Sequence, residues 1–572
     1  MEKRVLLAIV LSFAVLYGFQ AMFPPPEPQQ QTASGTQAGA PSEAPAPDPA
    51  AAVEAPAPEP ATAPVTGDVE EREIAFENES VRAVFSNRGG VIKSWRLKKY
   101  LNAANEPLEL VPQDTPAGTP KPFTLAVDDA AVSKTLASAL YKPSASSVDA
   151  SSAPQTLTFD YQDASGLVVT KTFAFDPASP YVIRFSATVT NGGTALNPSV
   201  KWGPAIGTNL TVNTSSYNQP PQPIFFTDGD VERIGTSKVA EVANIQGTYG
   251  FAGADDHYFL STTVNAPSPL RLNYEVVPMP AKVQGEKAPP PYVSWTATYP
   301  GPPSEAVYFF GPKDFDVLAA VDRDLVRAIH FGVFSWLVVP LLRALKWVNV
   351  YIGNYGWSII ALTVIINLVL FPFRHKSVVS MRKMQEIQPQ VKAIQDRYAH
   401  LKMTDPARQK MNQEMMQLYK ERGVNPASGC LPMLMTLPVL FAFYAMLSVA
   451  IELRGAPFIG WITDLSTYDP LFITPVIMGL TQFVQTRMTP TTADPVQQRV
   501  MMFMPLMFMA FFLWAPAGLV LYWTVSNLWA IGQQAVTNKL IGPPKVQTVR
   551  PPAERRVKTA GAGKSVAAKE RK

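Results

Sequence analysis

The chain has a single cysteine, Cys430, among 572 residues. That excludes an intrachain disulfide and a cysteine-based metal site, and Cys430 reads as a small buried apolar residue. Charge is also scarce. Only 16% of residues are charged against 47% hydrophobic, low for a soluble protein and indicative of a membrane. The net charge of +4 is too small to imply nucleic-acid binding. No phosphate-binding loop is present, and no catalytic set, metal site or cofactor is expected.

The apolar residues that are present crowd positions 1–23 and 331–536, with a segment of ordinary soluble composition between them. The charges are placed unevenly too. Residues 374–422 hold eleven Lys/Arg against five Asp/Glu, and residues 538–572 hold ten against two.

Residues 1–23 read as a retained anchor: Lys3 and Arg4 precede an apolar run, and no A-x-A cleavage site precedes Pro24. Residues 24–67 are rich in Pro, Ala, Gln and Glu and read as a mobile tether. Residues 68–312 show short alternating runs, such as Val81–Phe85, Thr156–Phe159, Val168–Phe175 and Tyr181–Val189, separated by turns such as Asn87-Arg88-Gly89-Gly90. That predicts an all-β sandwich. Asp255-Asp256-His257 reads as a solvated turn. Asn209-Leu210-Thr211 fits a glycosylation pattern short enough to arise by chance. Residues 330–354 are amphipathic, with Arg343, Lys346 and Asn349 on one face and Pro340 inside, and read as an interfacial helix.

The organising stretch is Trp357–Phe373, an uncharged apolar run long enough to cover most of a bilayer core. Its inner polar side chains, Thr363 and Asn367, share a helix face, and Arg374 falls on that face seven residues on. Such a stripe is either a contact between helices or the wall of a wet cavity. Residues 374–424 predict a cytoplasmic helical hairpin with a seam of Met381, Met384, Met411 and Met415. The seam either packs the two arms or also offers an adaptable surface to apolar segments. Asp405-Pro406 reads as a helix start and Asn425-Pro426 as a stop. Further spans are expected at 431–451, 471–486, 500–514 and 519–536, with a loop at 487–499 and a basic tail at 538–572. Six spans with both termini and the hairpin in the cytoplasm put both strongly basic segments inside, as the positive-inside rule requires. At 15 residues, the span 500–514 is short enough to distort a bilayer.

The C-terminal half resembles the YidC family of membrane protein insertases in its Gram-negative form. The resemblance rests on Gly353-Asn354-Tyr355-Gly356-Trp357-Ser358, Gln413-Glu414-Met415-Met416, Val424-Asn425-Pro426, Glu452-Leu453-Arg454, Pro490-Thr491-Thr492, Phe503-Met504-Pro505, Gly518-Leu519-Val520-Leu521-Tyr522 and Ser526-Asn527-Leu528, in the family's order. It implies a polytopic helical protein with a five-helix core around a hydrophilic groove open to cytoplasm and lipid, plus a periplasmic β domain. It implies an insertase and chaperone for inner-membrane proteins, acting alone or with the Sec translocon and without nucleotide hydrolysis. Implied partners are nascent membrane proteins, lipids, and the ribosome and signal recognition pathway. Implied groove positions are Thr363, Thr436, Gln482, Gln485, Tyr522, Ser526 and Asn527, with hydrogen bonding between helices as the plainer reading of the polar ones. Where the family usually carries a groove arginine, this chain has Asn367. Arg374 then either supplies part of that charge, since helical side chains lean toward the N-terminus, or serves as an interfacial anchor. A solute transporter would call for inverted repeats or charges paired inside the spans, which the sequence lacks. A tethered envelope-glycan enzyme would call for a paired-carboxylate cleft in the β domain.

Overall fold

The computed structural model describes residues 64–541, except 103, 117, 207–218, 243, 279–290, 333, 399–406, 424–430 and 490–494. The expected anchor, most of the tether, Asn209-Leu210-Thr211, Asp405-Pro406, Asn425-Pro426, Cys430 and most of the tail lie outside the described residues.

Period-two burial builds the first half. Gln155–Asp163 and Leu167–Phe175 bury every second side chain, and with Val182–Asn191 they pair antiparallel in a sheet of eleven strands. Two five-stranded sheets pack on it. Tyr308 and Phe310, two apart on strand Ala306–Pro312, share a face. Trp202, from one small sheet, stacks on Tyr308 at 5.5 Å, and Trp95, from the other, stacks on Phe310 at 5.7 Å. This is a β sandwich with an aromatic core. Strand Pro64–Thr66 lies inside the segment read as tether. It pairs with Gln155–Asp163, so the sheet starts earlier than the composition suggests. Helix α1 (Ala130–Ser138), capped by Asp129, went unread because nine residues are too short to show periodicity.

The turn at Asn87-Arg88-Gly89-Gly90 has a specific physical basis. Gly89 sits at φ 73°, and a Cβ there would meet the Ala137 carbonyl oxygen at 2.7 Å. Beneath the turn Lys171 is fully buried and donates to the carbonyls of Gly89, Gly90 and Phe123 at 2.5, 3.2 and 2.8 Å. Burial pulls its ammonium down to about 7.

The second half is helical: α2 (Phe315–Val321), α3 (Ser335–Ile352), α4 (Tyr355–Arg397), α5 (Ala407–Glu421), α6 (Leu431–Val449), α7 (Ile473–Met488), α8 (Pro495–Phe511) and α9 (Ala517–Ile541). Among the described residues, α4 is the one helix long and apolar enough to cross a membrane by length and composition. Pro438–Val449 and Arg499–Trp514 are shorter apolar helices. The sequence reading divides the chain at 373/374, but α4 runs through its 43 residues without a break, about 65 Å of helix. Helical hydrogen bonding follows the backbone and is indifferent to the change from apolar to basic side chains; Lys, Arg and Gln are good helix formers. The two arms of the hairpin are joined by Tyr398 to Glu414 (2.7 Å), Arg397 to Glu414 (3.1 Å) and Arg422 to Gln390 (3.3 Å). Met381, Met384, Met411 and Met415 are half-buried along them.

The sandwich sits directly on the helices. Asp255, Asp256 and His257 are buried, correcting their reading as a solvated turn. The turn is real, but it is pressed between the two halves. Asp255 pairs with Arg233 (3.1 Å) and Lys313 (3.0 Å), and His257 Nε2 donates to the Ser448 carbonyl on α6 at 2.7 Å. Burial pushes His257 down to about 4, so the imidazole is neutral at ordinary pH.

Asp255→Ala would leave Arg233 and Lys313 without their shared carboxylate. It should cost about 3–5 kcal/mol, read by denaturant unfolding of the full chain. Lys171 makes a second prediction. Between its folded value near 7 and its ordinary value of 10.5, the unfolded chain binds a proton that the folded chain does not. Stability therefore rises with pH across that window. Lys171→Met should lack this rise, and identical pH profiles for the two proteins would contradict the assignment.

Candidate functional site

Helices α4, α6, α7 and α9 enclose a cleft of about 480 Å³. Helix α4 contributes Asn367 and Arg374, α7 contributes Gln482 and Gln485, and α9 contributes Tyr522, Ser526 and Asn527. Seven of the nine groove positions read from sequence thus line one cavity. Thr363 does not reach it. It is fully buried and returns its hydroxyl to the Ile359 carbonyl at 2.6 Å. The side chain of Thr436 lies outside the described residues.

The polar groups are ordered by their own hydrogen bonds. Asn367 Nδ2 donates to the Thr363 carbonyl at 2.8 Å, which leaves Oδ1 to accept from Arg374 Nη1 at 2.8 Å. The guanidinium therefore reaches back two turns along α4, as the lean of helical side chains predicts. Opposite, Trp523 Nε1 donates to Gln482 Oε1 (3.0 Å), and Gln482 Nε2 donates to Gln485 Oε1 (3.1 Å). Asn527 Nδ2 lies 3.3 Å from Thr481 Oγ1. Tyr522 stacks on Phe443 of α6 at 4.3 Å. Among the described residues no carboxylate lines the cleft, so Arg374 carries a net positive charge into a wall of amides and hydroxyls.

Sequence reasoning missed Gln533, Gln534, Ser377 and Thr489, which also line the cavity. Gln533 is buried, and neither its Oε1 nor its Nε2 has a hydrogen-bond partner among the described residues. A signal for it was present. Tyr522, Ser526, Ala530 and Gln533 step by four, four and three along one face of α9.

The starts of α4 and α9 are held by the segment that follows α6. Asn354 caps α4 at the Trp357 amide, while its Nδ2 donates to Pro457 O (3.0 Å). The amides of Ala517 and Gly518 donate to Thr467 O (2.7 Å) and Leu465 O (2.9 Å). Gly356 admits Phe458, because a Cβ there would lie 2.1 Å from the ring.

Residues 347–543 match the family model of the 60Kd inner membrane protein, and residues 73–344 match that of the YidC periplasmic domain. A relative from Geobacter metallireducens, a membrane protein insertase YidC, is 36% identical over 95% of this chain and 99% of its own length. One of the same name from Syntrophus aciditrophicus is 34% identical over 94% of this chain and all of its own. A crystal structure of an active YidC insertase with its first transmembrane domain resolved is 18% identical. It covers 83% of this chain and 95% of that one, at a TM-score of 0.33.

Gly356→Ala should force Phe458 out of its seat. The expected loss is about 1–3 kcal/mol of thermal or denaturant stability. An unchanged midpoint would mean that this contact yields without strain.

Proposed function

The chain belongs to the YidC family of membrane protein insertases, and from that premise we propose that it inserts integral proteins into the inner membrane through the cleft between α4, α6, α7 and α9. The observation that carries this is the cleft itself: a cation held by Asn367, amides on two facing helices, and starts of α4 and α9 held by one segment.

Polar parts of an incoming segment enter the cleft, where Arg374 attracts acidic side chains and the amides replace lost water. A charge at the bilayer centre costs roughly 2.5–3.5 kcal/mol on insertion scales, and each polar partner supplied part-way lowers that cost. The apolar part stays outside, along exposed side chains of α8 such as Phe503, Leu506 and Phe511. The proposed topology has six spans: residues 1–23, the first part of α4, and α6, α7, α8 and α9. Both termini and the hairpin lie in the cytoplasm and the β sandwich in the periplasm. In this reading the hairpin receives segments through its half-buried methionines and holds anionic lipid heads through its basic charge. Work beside the Sec translocon, delivery by the ribosome and signal recognition pathway, and independence of nucleotide belong to the same proposal. So does the absence of covalent catalysis.

The test is depletion of the protein in its own cells, with protease accessibility of a one- or two-span client as readout. Depletion should block insertion and wild type should restore it. Arg374→Ala should slow clients with acidic translocated segments most, and Asn367→Arg/Arg374→Ala should recover part of the rate. Normal insertion on depletion sinks the insertase reading. Normal insertion by Arg374→Ala removes the cation from the mechanism.

A further inference from the structure

The β sandwich carries a second cleft, of about 470 Å³, between residues 118–121, strand Thr124–Ala126, helix α1 and strand Ser199–Trp202. Four cations line it, Arg88, Lys93, Lys121 and Lys201, against one carboxylate, Glu71. Two of the cations have exposed carboxylate partners: Arg88 pairs with Glu71 at 2.9 Å, and Lys93 pairs with Glu73. Exposed pairs of this kind contribute little and exchange readily. The other two have no such partner. Lys121 Nζ donates to the Pro112 carbonyl at 3.1 Å. The Lys201 side chain has no hydrogen-bond or ion-pair partner among the described residues.

The site is rigid where it is charged. Strand Ser199–Trp202 pairs Lys201 with Thr124, and Thr124 Oγ1 donates to the Lys121 carbonyl at 2.8 Å. Gly203 lets the loop lie close against the strand, since a Cβ there would fall 1.9 Å from Pro120 O. Burial holds Lys121 below its ordinary range, with the charge of Lys93 adding to the effect against the pull of Glu109. Like charges gathered over the buried apolar side chains of Val91 and Leu125 are a cost that an anion would relieve.

We propose that this cleft binds acidic stretches of the polypeptide segments delivered to the sandwich's side of the membrane. The proposal rests on the insertase reading. Segments that cross are those poor in Lys and Arg, so the charge they bring is acidic. A recessed cleft with an apolar floor suits a few side chains of an extended chain better than it suits a flat lipid surface. A segment held there would be hindered from slipping back.

The test uses the full-length protein in phosphatidylcholine nanodiscs and a fluorescent short peptide rich in Asp and Glu, followed by anisotropy. The acidic peptide should bind, and its Asn/Gln counterpart should not. Lys201→Glu should weaken binding by roughly tenfold, and Lys201→Gln should weaken it less. Lys238→Glu, an equal charge change at an exposed site away from the cleft, should bind as wild type. Matching thermal midpoints exclude misfolding. Equal binding by Lys201→Glu, or by the amide peptide, overturns the proposal. If inorganic phosphate or phosphatidylglycerol vesicles bind with Lys201 dependence and the peptide does not, the site is one for phosphate groups and the peptide reading is overturned. Binding by purified protein is read independently of insertion. Rescue of a client without peptide binding removes only this cleft, and failed rescue removes only the insertase reading.

Discussion

A charge taken out of water must meet an opposite charge or enough hydrogen bonds, and this requirement joins the two halves of the molecule. Lys346, on α3, lies within 3.4 Å of Asp314, 2.5 Å of Asp316 and 3.1 Å of Glu452. Two of these carboxylates sit at the start of α2 below the sandwich, and the third sits in the segment after α6. Burial pulls the Lys346 ammonium down, but the hydrogen bond to Asp316 and the charges of Glu452 and Asp314 carry it above its ordinary value. Arg454 covers the rings of Tyr258 and Phe259. Asp255, Arg233 and Lys313 form a second buried cluster beside them. Removing Asp255 would leave Arg233 and Lys313 buried without their shared carboxylate, so that cluster holds as a unit, whereas solvent reaches part of the Lys346 cluster through Asp316.

That joint fixes what lies beneath it. The segment carrying Glu452 and Arg454 continues into Pro457 and Phe458, which lock onto Asn354 and Gly356 at the start of α4. It goes on to Leu465 and Thr467, which hold the start of α9. The two helices that supply most of the cleft wall are therefore positioned at one end by the same segment that grips the sandwich. Toward the other end they are tied by Arg382 of α4, which donates to Asn538 of α9, whose carbonyl oxygen also accepts from Gln534 one turn earlier on α9. Between these ties the cleft is bounded by side chains of four helices.

What the sequence made legible was periodic and local. Alternation in residues 155–191 identified the strands, and the four- and seven-residue spacing of Thr363, Asn367 and Arg374 identified one face of α4. Of the seven expected groove positions that line one cavity, Asn367 and Arg374 were countable on one face of α4, whereas Gln482, Gln485, Tyr522, Ser526 and Asn527 were implied by the family resemblance. What escaped depended on partners far along the chain. Asp255-Asp256-His257 has the composition of an exposed turn, and only Arg233, Lys313 and Ser448, none of them local, make it a buried joint. Lys171 shares the inward face of its strand with Val169 and Phe173, and the carbonyls that satisfy it there come from a glycine turn 81 residues away. Gln533 lies beyond the α9 positions that the resemblance implied, although it continues the face of Tyr522, Ser526 and Ala530.

In the proposed function Arg374, held by Asn367, stands in for the mid-span arginine that the resemblance implies, and the charge is carried differently. A cation attached at mid-span brings its Cα and its charge to the same depth, and the whole desolvation cost falls there. Here the Cα of Arg374 follows the apolar run, and the side chain spans two turns to reach Asn367 Oδ1. The amide cannot rotate freely, because its Nδ2 is committed to the Thr363 carbonyl. Thr363 in turn is held by the Ile359 carbonyl. The guanidinium thus rests at the end of a directed chain of hydrogen bonds and faces a cleft without a carboxylate. A carboxylate arriving in the cleft meets a cation whose position is already fixed, so less ordering entropy is lost on contact. When the carboxylate leaves, the cation still has Asn367 and a short path to the headgroup region. In the proposed function that combination would give a weak, repeatable attraction, as suits release of each inserted segment.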